Sequence, residues 1–392
     1  MDLLLVFLDS ILDVLFVLSA FLFVLFVVVL VHELGHFLVA RWCGVKVSTF
    51  SIGFGREICG FNDRHGTRWR LAWLPLGGYV KFVDDDNSAS IQLSRGHAMM
   101  TDDEQTGFFH TKPVWQRSAV VAAGPITNFL FAIVIFTLLS LIYGIVLIEP
   151  RVNAVVPGTP AESAGFEPGD LIVSIDGNLI KSFSDIQHHV VLSAERELVF
   201  VVERSGRLID LLVTPVLKEN VDSIAGRHRR PVIGIQSSND TSKILHKSVG
   251  LVEAISLGMR QTWTIVIQTI YYIGDMIMQR QPADQLGGVI RIADASGKVA
   301  QLGVAHIIQF IAFMSVSIGL INLFPVPMLD GGHLLFYAME ALRGRPLSES
   351  TQEFSFKIGL ALVFALMLFA TWNDRVIVKD WFDDAIVKNQ PR

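Results

Sequence analysis

The most apolar stretch of the chain lies near its start. From Val14 to Val31 eighteen residues pass without a charge, with Ser19 as the one polar position, which is most of the length a helix needs to cross a bilayer. Hydropathy predicts four such spans, at about 14–38, 118–148, 303–325 and 355–372. Residues 249–279 are less apolar: Glu253, Arg260 and Asp275 interrupt them, with Trp263, Tyr271 and Tyr272 interleaved. That pattern fits amphipathic helices in the membrane interface, or a fifth crossing.

Between the first two spans, Arg68 to Leu74 alternates loosely, Pro75-Leu76-Gly77-Gly78 reads as a turn, and Tyr79 to Phe82 as a second strand. The apolar side chains of this hairpin suit a re-entrant element dipping into the membrane, where protein or a water-filled cavity would satisfy its backbone; the alternative is an ordinary cytoplasmic hairpin. Asp84 to Gln105 is polar and acidic and is expected to be a solvated loop. After the second span the period changes. Strands are predicted at Val152 to Val156, Leu171 to Ile175, Leu198 to Glu203 and Leu208 to Val213, with helices at Pro160 to Ala164 and Ser184 to Leu192. The chain therefore divides into an N-terminal membrane part (1–150), a small α+β domain (151–217), a segment of linker and interfacial helices (218–302) and a C-terminal membrane part (303–392).

Composition agrees with this organisation. The 392 residues are 51% hydrophobic with a mean hydropathy of +0.49, outside the range of soluble globular proteins. The net charge of −5 includes no basic tract of the kind that binds nucleic acid. Cys43 and Cys59 cannot make a disulfide framework and are expected to be packing residues. No Lys or Arg precedes Arg41, so the first span lacks the basic start of a cleavable signal peptide and is expected to be retained. Arg41, Lys46, Lys112 and Arg117 flank the loop between the first two spans. The positive-inside rule puts that loop in the cytoplasm, and the N-terminus, the C-terminus and the α+β domain outside.

The chemistry is concentrated where the first apolar run ends, at His32-Glu33-Leu34-Gly35-His36. On a helix the two histidines lie one turn apart on the same face, so both imidazoles reach one metal ion, and Glu33 projects beside them. Neutral imidazole suits Zn2+, a third ligand leaves a position open, and a nearby carboxylate serves as base for an activated water. Asp330, in Asn322-Leu323-Phe324-Pro325-Val326-Pro327-Met328-Leu329-Asp330-Gly331-Gly332-His333, is the natural third ligand. The first and third spans run in the same direction, so His32 and Asp330 reach the same depth. Pro325, Pro327, Gly331 and Gly332 are expected to open the helix there. His333 is the competing ligand, and Asn128 and Asn322 are polar residues near helix ends that interhelical hydrogen bonding alone would explain. A rival reading makes the chain an adaptor braced by structural zinc. A brace would close the fourth position with another Cys or His, and Cys43 is poorly placed for that.

The stretch Val156 to Gly165, then Gly169-Asp170-Leu171-Ile172 and Ile175-Asp176-Gly177, resembles a bacterial PDZ domain, present once. The whole pattern resembles the site-2 protease family of intramembrane zinc metalloproteases, RseP type. The likeness covers His32 to His36, Pro75 to Lys81, Phe109 to Arg117, Ala123 to Asn128, the PDZ-like domain, Gly287-Gly288 and Asn322 to His333. It implies a multi-span α-helical membrane protein of about four transmembrane helices with a re-entrant β-hairpin and an inserted PDZ-like domain. It further implies zinc on His32, His36 and Asp330, Glu33 as base, and substrate held by Asn322; the hairpin residues Gly77, Gly78 and Tyr79 are expected to supply an edge strand for the extended substrate. Members of the family sit in the bacterial inner membrane and cut single-span proteins such as anti-sigma factors, after a site-1 protease has trimmed them, and some clear signal-peptide remnants. Two departures stand out: well-studied enterobacterial members carry tandem PDZ domains, and Val289 follows Gly287-Gly288 where a proline is usual.

Overall fold

The computed structural model describes residues 2–84, 107–191, 193, 196–222, 226–237, 244–278, 286–375 and 377. The acidic loop expected up to Gln105 lies, apart from Asp84, outside these residues, as does Leu192. In chain order the elements are α1 (Asp2–Trp42), β1 (Val47–Asn62), β2 (Arg68–Phe82), α2 (Val114–Tyr143), β3 (Ile145–Ile148), β4 (Ala154–Val155), α3 (Pro160–Ser163), β5 (Leu171–Ile175) and β6 (Asn178–Leu179). There follow α4 (Phe183–Val191), β7 (Leu198–Arg204), β8 (Arg207–Val213), β9 (Val216–Asp222), β10 (Gly226–Val232), β11 (Ile235–Gln236) and β12 (Ile244–Lys247). The chain then turns helical through α5 (Leu251–Ile277), α6 (Val289–Gln301), α7 (Val304–Asn322), α8 (Asp330–Arg343) and α9 (Glu349–Asn373).

Among the described helices, four are long and apolar enough to cross a membrane: Ile11–Trp42, Val114–Tyr143, Val304–Asn322 and Glu349–Asn373. They are the four that hydropathy predicts, with shifted ends; α5, the charged and aromatic segment, is not among them. The second span stops at Tyr143 rather than 148 because Gly144 takes a positive φ of 70°, a conformation that suits glycine and ends helices. The next residues form β3, paired with β12.

Contacts group the chain into two compact units. The first comprises Met1–Phe136, Gly258–Val266 and Leu286–Arg392, and the second Thr137–Leu257 and Ile267–Gln285.

In the first unit the strand pair differs from the expected hairpin. Pro75 to Gly78 is not a turn but the middle of β2, and the turn lies at Asp63–Gly66. Asp63 Oδ1 accepts from the backbone nitrogens of His65 (2.8 Å) and Thr67 (2.9 Å), Gly66 takes a φ of 88°, and Asp63 also pairs with Arg41 at the end of α1. This Asx turn is the stronger local signal. Tyr79 to Phe82 does not pair with Arg68 to Leu74. Both segments pair with the first half of β1, where Phe50 faces Val80 on one side and Trp69 on the other, while Cys59 to Asn62 faces Leu71 to Arg68. Phe37 meets Phe50 and Trp69 edge to face and Phe50 lies tilted on Trp69, at centroid distances of 4.3–5.5 Å; together they anchor the sheet on α1 in a core shared with Val120 and Tyr337.

The helices of this unit meet through small residues. A side chain at Gly35 of α1 would overlap the Ala123 carbonyl and Thr127 of α2, and one at Gly319 of α7 would press on Asn128 and Pro125. Lipid tails give helices no hydrophobic reason to associate, so close backbone approach supplies the attraction instead. Gly331 and Gly332 also act by closeness, which corrects the expectation that they open a helix. They form the first turn of α8, where a Cβ would strike the carbonyls of Leu323, Phe324 and Val326. The chain between α7 and α8 turns through Met328 at a φ of 97°. Asp374, fully buried beyond α9, accepts from the backbone nitrogens of Gly288 (2.8 Å) and Ile290 (3.0 Å), and so caps α6. Near Asp84, burial pushes the carboxyl pKa up, but hydrogen bonds from the ring and backbone of His110 outweigh it and leave it below the ordinary value.

The second unit holds a four-stranded sheet in the order β6-β5-β7-β8. Asp176 (φ 48°) and Gly177 (φ 78°) form the turn that the Asp-Gly pair announces. Phe183, Ile186 and Val190 of α4 pack into the same core as Ile172, Phe200 and Val202. The domain extends past the boundary drawn at 217: Ile233 belongs to this core and β11 pairs with β4. A groove of about 330 Å³ runs beside α4, lined among others by Phe183, Ile186, Gln187, Val190, Ile233 and Ile235.

One side-chain pair ties α2 to α8. Arg117 makes two hydrogen bonds to Glu340, at 2.6 and 3.2 Å, and lies 4.9 Å from the centroid of Tyr337. Both partners are mostly buried, at 12% and 14% side-chain exposure, so removing one strands the other. Arg117→Ala is expected to cost about 3 kcal/mol, and Arg117→Leu combined with Glu340→Leu less than the sum of its single changes. Thermal unfolding of the detergent-solubilised protein measures both; strictly additive losses would show that the two residues act independently.

Candidate metal centre

The site is built from α1, α2 and the start of α8. The periodicity of α1 puts His32, Glu33 and His36 near its inner face, and His32 and Glu33 are buried. Asp330 is the first residue of α8, and the turn before it brings its carboxylate back to α1. His32 Nε2 lies 3.1 Å from His36 Nε2 and 3.1 Å from Asp330 Oδ2, and His36 Nε2 lies 3.6 Å from Asp330 Oδ1. Among the described residues these three form the one group of His, Cys, Asp or Glu side chains arranged to share a metal ion.

The arrangement fits zinc. Four ligands at zinc's usual bond lengths in a tetrahedron stand about 3.3 Å apart; the two Nε2 atoms are 3.1 Å apart, and the carboxylate puts one oxygen 3.1 Å from His32 and the other 3.6 Å from His36. His36 Nδ1 donates to the Val120 carbonyl at 2.9 Å, which leaves its Nε2 as a bare lone pair. Asp330 Oδ2 is buried and makes no hydrogen bond among the described residues, with His32 Nε2 as its near neighbour at 3.1 Å; a cation shared by the three side chains would answer its charge. His333 stands outside the group, with its ring 5.5 Å from that of Phe356.

The remaining residues expected at the site lie in three places. Gly78 lies against the base candidate, since a Cβ there would meet Glu33 Cγ at 2.8 Å and the Ser51 carbonyl at 2.9 Å. Gly77 and Tyr79 instead face Phe54: a Cβ at Gly77 would meet that ring, and the Tyr79 ring lies 6.0 Å from it. Asn322 is the last residue of α7, half-buried, eight positions before Asp330. Two contributors were not singled out from the sequence as site residues. Val120 supplies the carbonyl that orients His36, and Gly124 makes room for both imidazoles, which any side chain there would overlap. The signal for the second was present, as a glycine inside an apolar span within a small-residue run.

The profile of peptidase family M50 matches residues 20–366. A Rhizobium meliloti protein that carries "zinc metalloprotease" in its name is 46% identical over 359 residues, covering 92% of this chain and 96% of its own. Metalloprotease MmpA of Caulobacter vibrioides is 42% identical over 382 residues, covering 92% and 95%. Among solved structures, a PDZ domain from an SdrC-like protein of Listeria monocytogenes aligns with 23% of this chain and 87% of its own at 23% identity, with a TM-score of 0.19. The chain belongs to peptidase family M50, the site-2 protease family, and is a zinc metalloprotease.

Proposed function

We propose that this metalloprotease is an intramembrane endopeptidase that cleaves the transmembrane segments of single-span membrane proteins, with His32, His36 and Asp330 holding zinc and Glu33 as general base. The observation that carries the reading is the convergence of two imidazoles and two carboxyl groups among apolar helices. Ionisable groups at membrane depth are expensive and are functional by default. Zinc, when bound, supplies the Lewis acidity that polarises a peptide carbonyl and acidifies water. Glu33 takes the proton of the attacking water and delivers it to the leaving nitrogen.

A helical substrate hides its peptide bonds, so it must be held extended. Gly78 to Val80 pairs with Phe50 to Ile52 in the first half of β1. An added strand along Gly78 to Val80 would take backbone hydrogen bonds there, and the contact of Gly78 with Glu33 supports a scissile bond near the base. Asn322 supplies a side-chain clamp. The exposure of Phe54, Ile58, Phe61, Trp73 and Leu74 on the sheet supports its re-entry into lipid. The bases Arg41, Lys46, Lys112 and Arg117 support an active site near the cytoplasmic face of a bacterial inner membrane, with the PDZ-like domain outside. The substrates fitting this scheme are anti-sigma-factor-like proteins already trimmed by a site-1 protease, and signal-peptide remnants.

Glu33→Gln is expected to keep its zinc and lose peptide cleavage about 10²–10⁴-fold; wild-type rates would remove Glu33 from the base role. Asp330→Ala is expected to lose zinc or most activity, read by metal analysis of the purified protein, whereas full occupancy with full activity would pass the third ligand to His333. Gln187→Trp, which fills the groove beside α4 without touching the core, is expected to weaken discrimination between intact and trimmed substrates more than it slows cleavage of the trimmed one. Unchanged discrimination would leave the domain excluding bulk only.

A further inference from the structure

Val120, Gly124 and Asn128 stand four residues apart on α2, and therefore on one face. The same spacing separates His32 and His36 on α1. The helices meet antiparallel, so His36 faces Val120 and His32 faces Asn128, with Gly124 between the rings. For His36 the question of which nitrogen carries the proton is settled, because a carbonyl only accepts and holds the proton on Nδ1. His32 has the same need, and the group beside its Nδ1 is the Asn128 amide, with Nδ2 at 3.3 Å. The Asn128 side chain is fully buried, and its Oδ1 has no hydrogen-bond partner among the described residues. A half-turn of the amide exchanges the two atoms and costs no hydrogen bond. Oδ1 then accepts from His32 Nδ1–H, and a bare Nε2 turns toward His36 and Asp330. The backbone of Asn128 is fixed for this task, since its carbonyl accepts from Ser315 Oγ at 3.0 Å and Gly319 packs against its Cβ.

We infer that Asn128 is the positioning residue of the metal centre, its amide oxygen holding the proton of His32 on Nδ1 as the Val120 carbonyl does for His36. The inference rests on the proposed zinc ligands, and the test keeps the two apart. Zinc retention by the full-length, detergent-solubilised protein is measured against a competing chelator for wild type, His32→Ala, Asn128→Leu and Asn128→Asp. Loss of an orienting partner of this kind weakens metal binding about 10–100-fold, and Asn128→Leu is expected in that range. Asn128→Asp, which keeps an acceptor, is expected to bind zinc at least as tightly as wild type. Zinc held normally by Asn128→Leu, or lost equally by Asn128→Leu and Asn128→Asp, overturns the inference. Zinc held normally by His32→Ala overturns the ligand set instead. Should Asn128→Leu fail to fold, ¹⁵N resonances of labelled histidine in the zinc-loaded wild type decide: Nδ1 of His32 protonated and Nε2 on the metal is expected, and ligation through Nδ1 refutes it.

Discussion

Everything at the candidate metal centre depends on how closely α1 and α2 approach each other. Gly35 lies against the Ala123 carbonyl and Gly124 against the two imidazoles, and at neither place is there room for a methyl group. This closeness has two effects. It supplies dispersion contacts, where a lipid surround offers no hydrophobic drive for helix pairing. It also brings a helix carbonyl, that of Val120, within 2.9 Å of an imidazole on the neighbouring helix. A larger residue at either glycine would part the helices and remove packing and orientation together. These glycines are thus spacing elements rather than hinges.

The third contributor reaches the same place by a different kind of crowding. α8 begins with its glycines pressed on the carbonyls that end α7, and Gly359 of α9 is equally tight on Pro327. The turn between α7 and α8 therefore has little freedom to relax, which is how Met328 stays at a positive φ that side chains ordinarily avoid. The carboxylate of Asp330 is aimed by this packed turn, and the Arg117–Glu340 pair holds the far end of α8 to the start of α2.

Much of this was legible in the sequence, for reasons that can be stated residue by residue. The four spans follow from apolar length, which a bilayer reads almost directly. The grouping of His32, His36 and Asp330 was legible because helical spacing puts the two histidines on one face and the third apolar run ends close before Asp330. The strand pair was misread because Pro75-Leu76-Gly77-Gly78 looks like a turn in isolation, whereas the Asx turn at Asp63 and the apolar contacts of Phe50 with Trp69 decide the register. The end of the small domain was missed because residues 218–236 are too polar and irregular to show a strand period, although Ile233 completes the core. Val120 was out of reach in principle: its contribution is a backbone carbonyl, and no residue type encodes that.

The distance along the chain between the contributors has a consequence in time. His36 and Asp330 are 294 positions apart. At roughly 5–20 residues per second of synthesis, roughly 15–60 s separate the emergence of the histidine pair from that of the carboxylate. During that interval α1 and α2 can already pair through their glycines, but the centre lacks the charge that answers a cation. With Asp330 as the proposed third ligand, the centre stays incomplete until α8 has been made and its first turn has closed on α7. On the proposed ligand set, the order of the elements along the chain makes the last ligand also the last part of the centre to be synthesised.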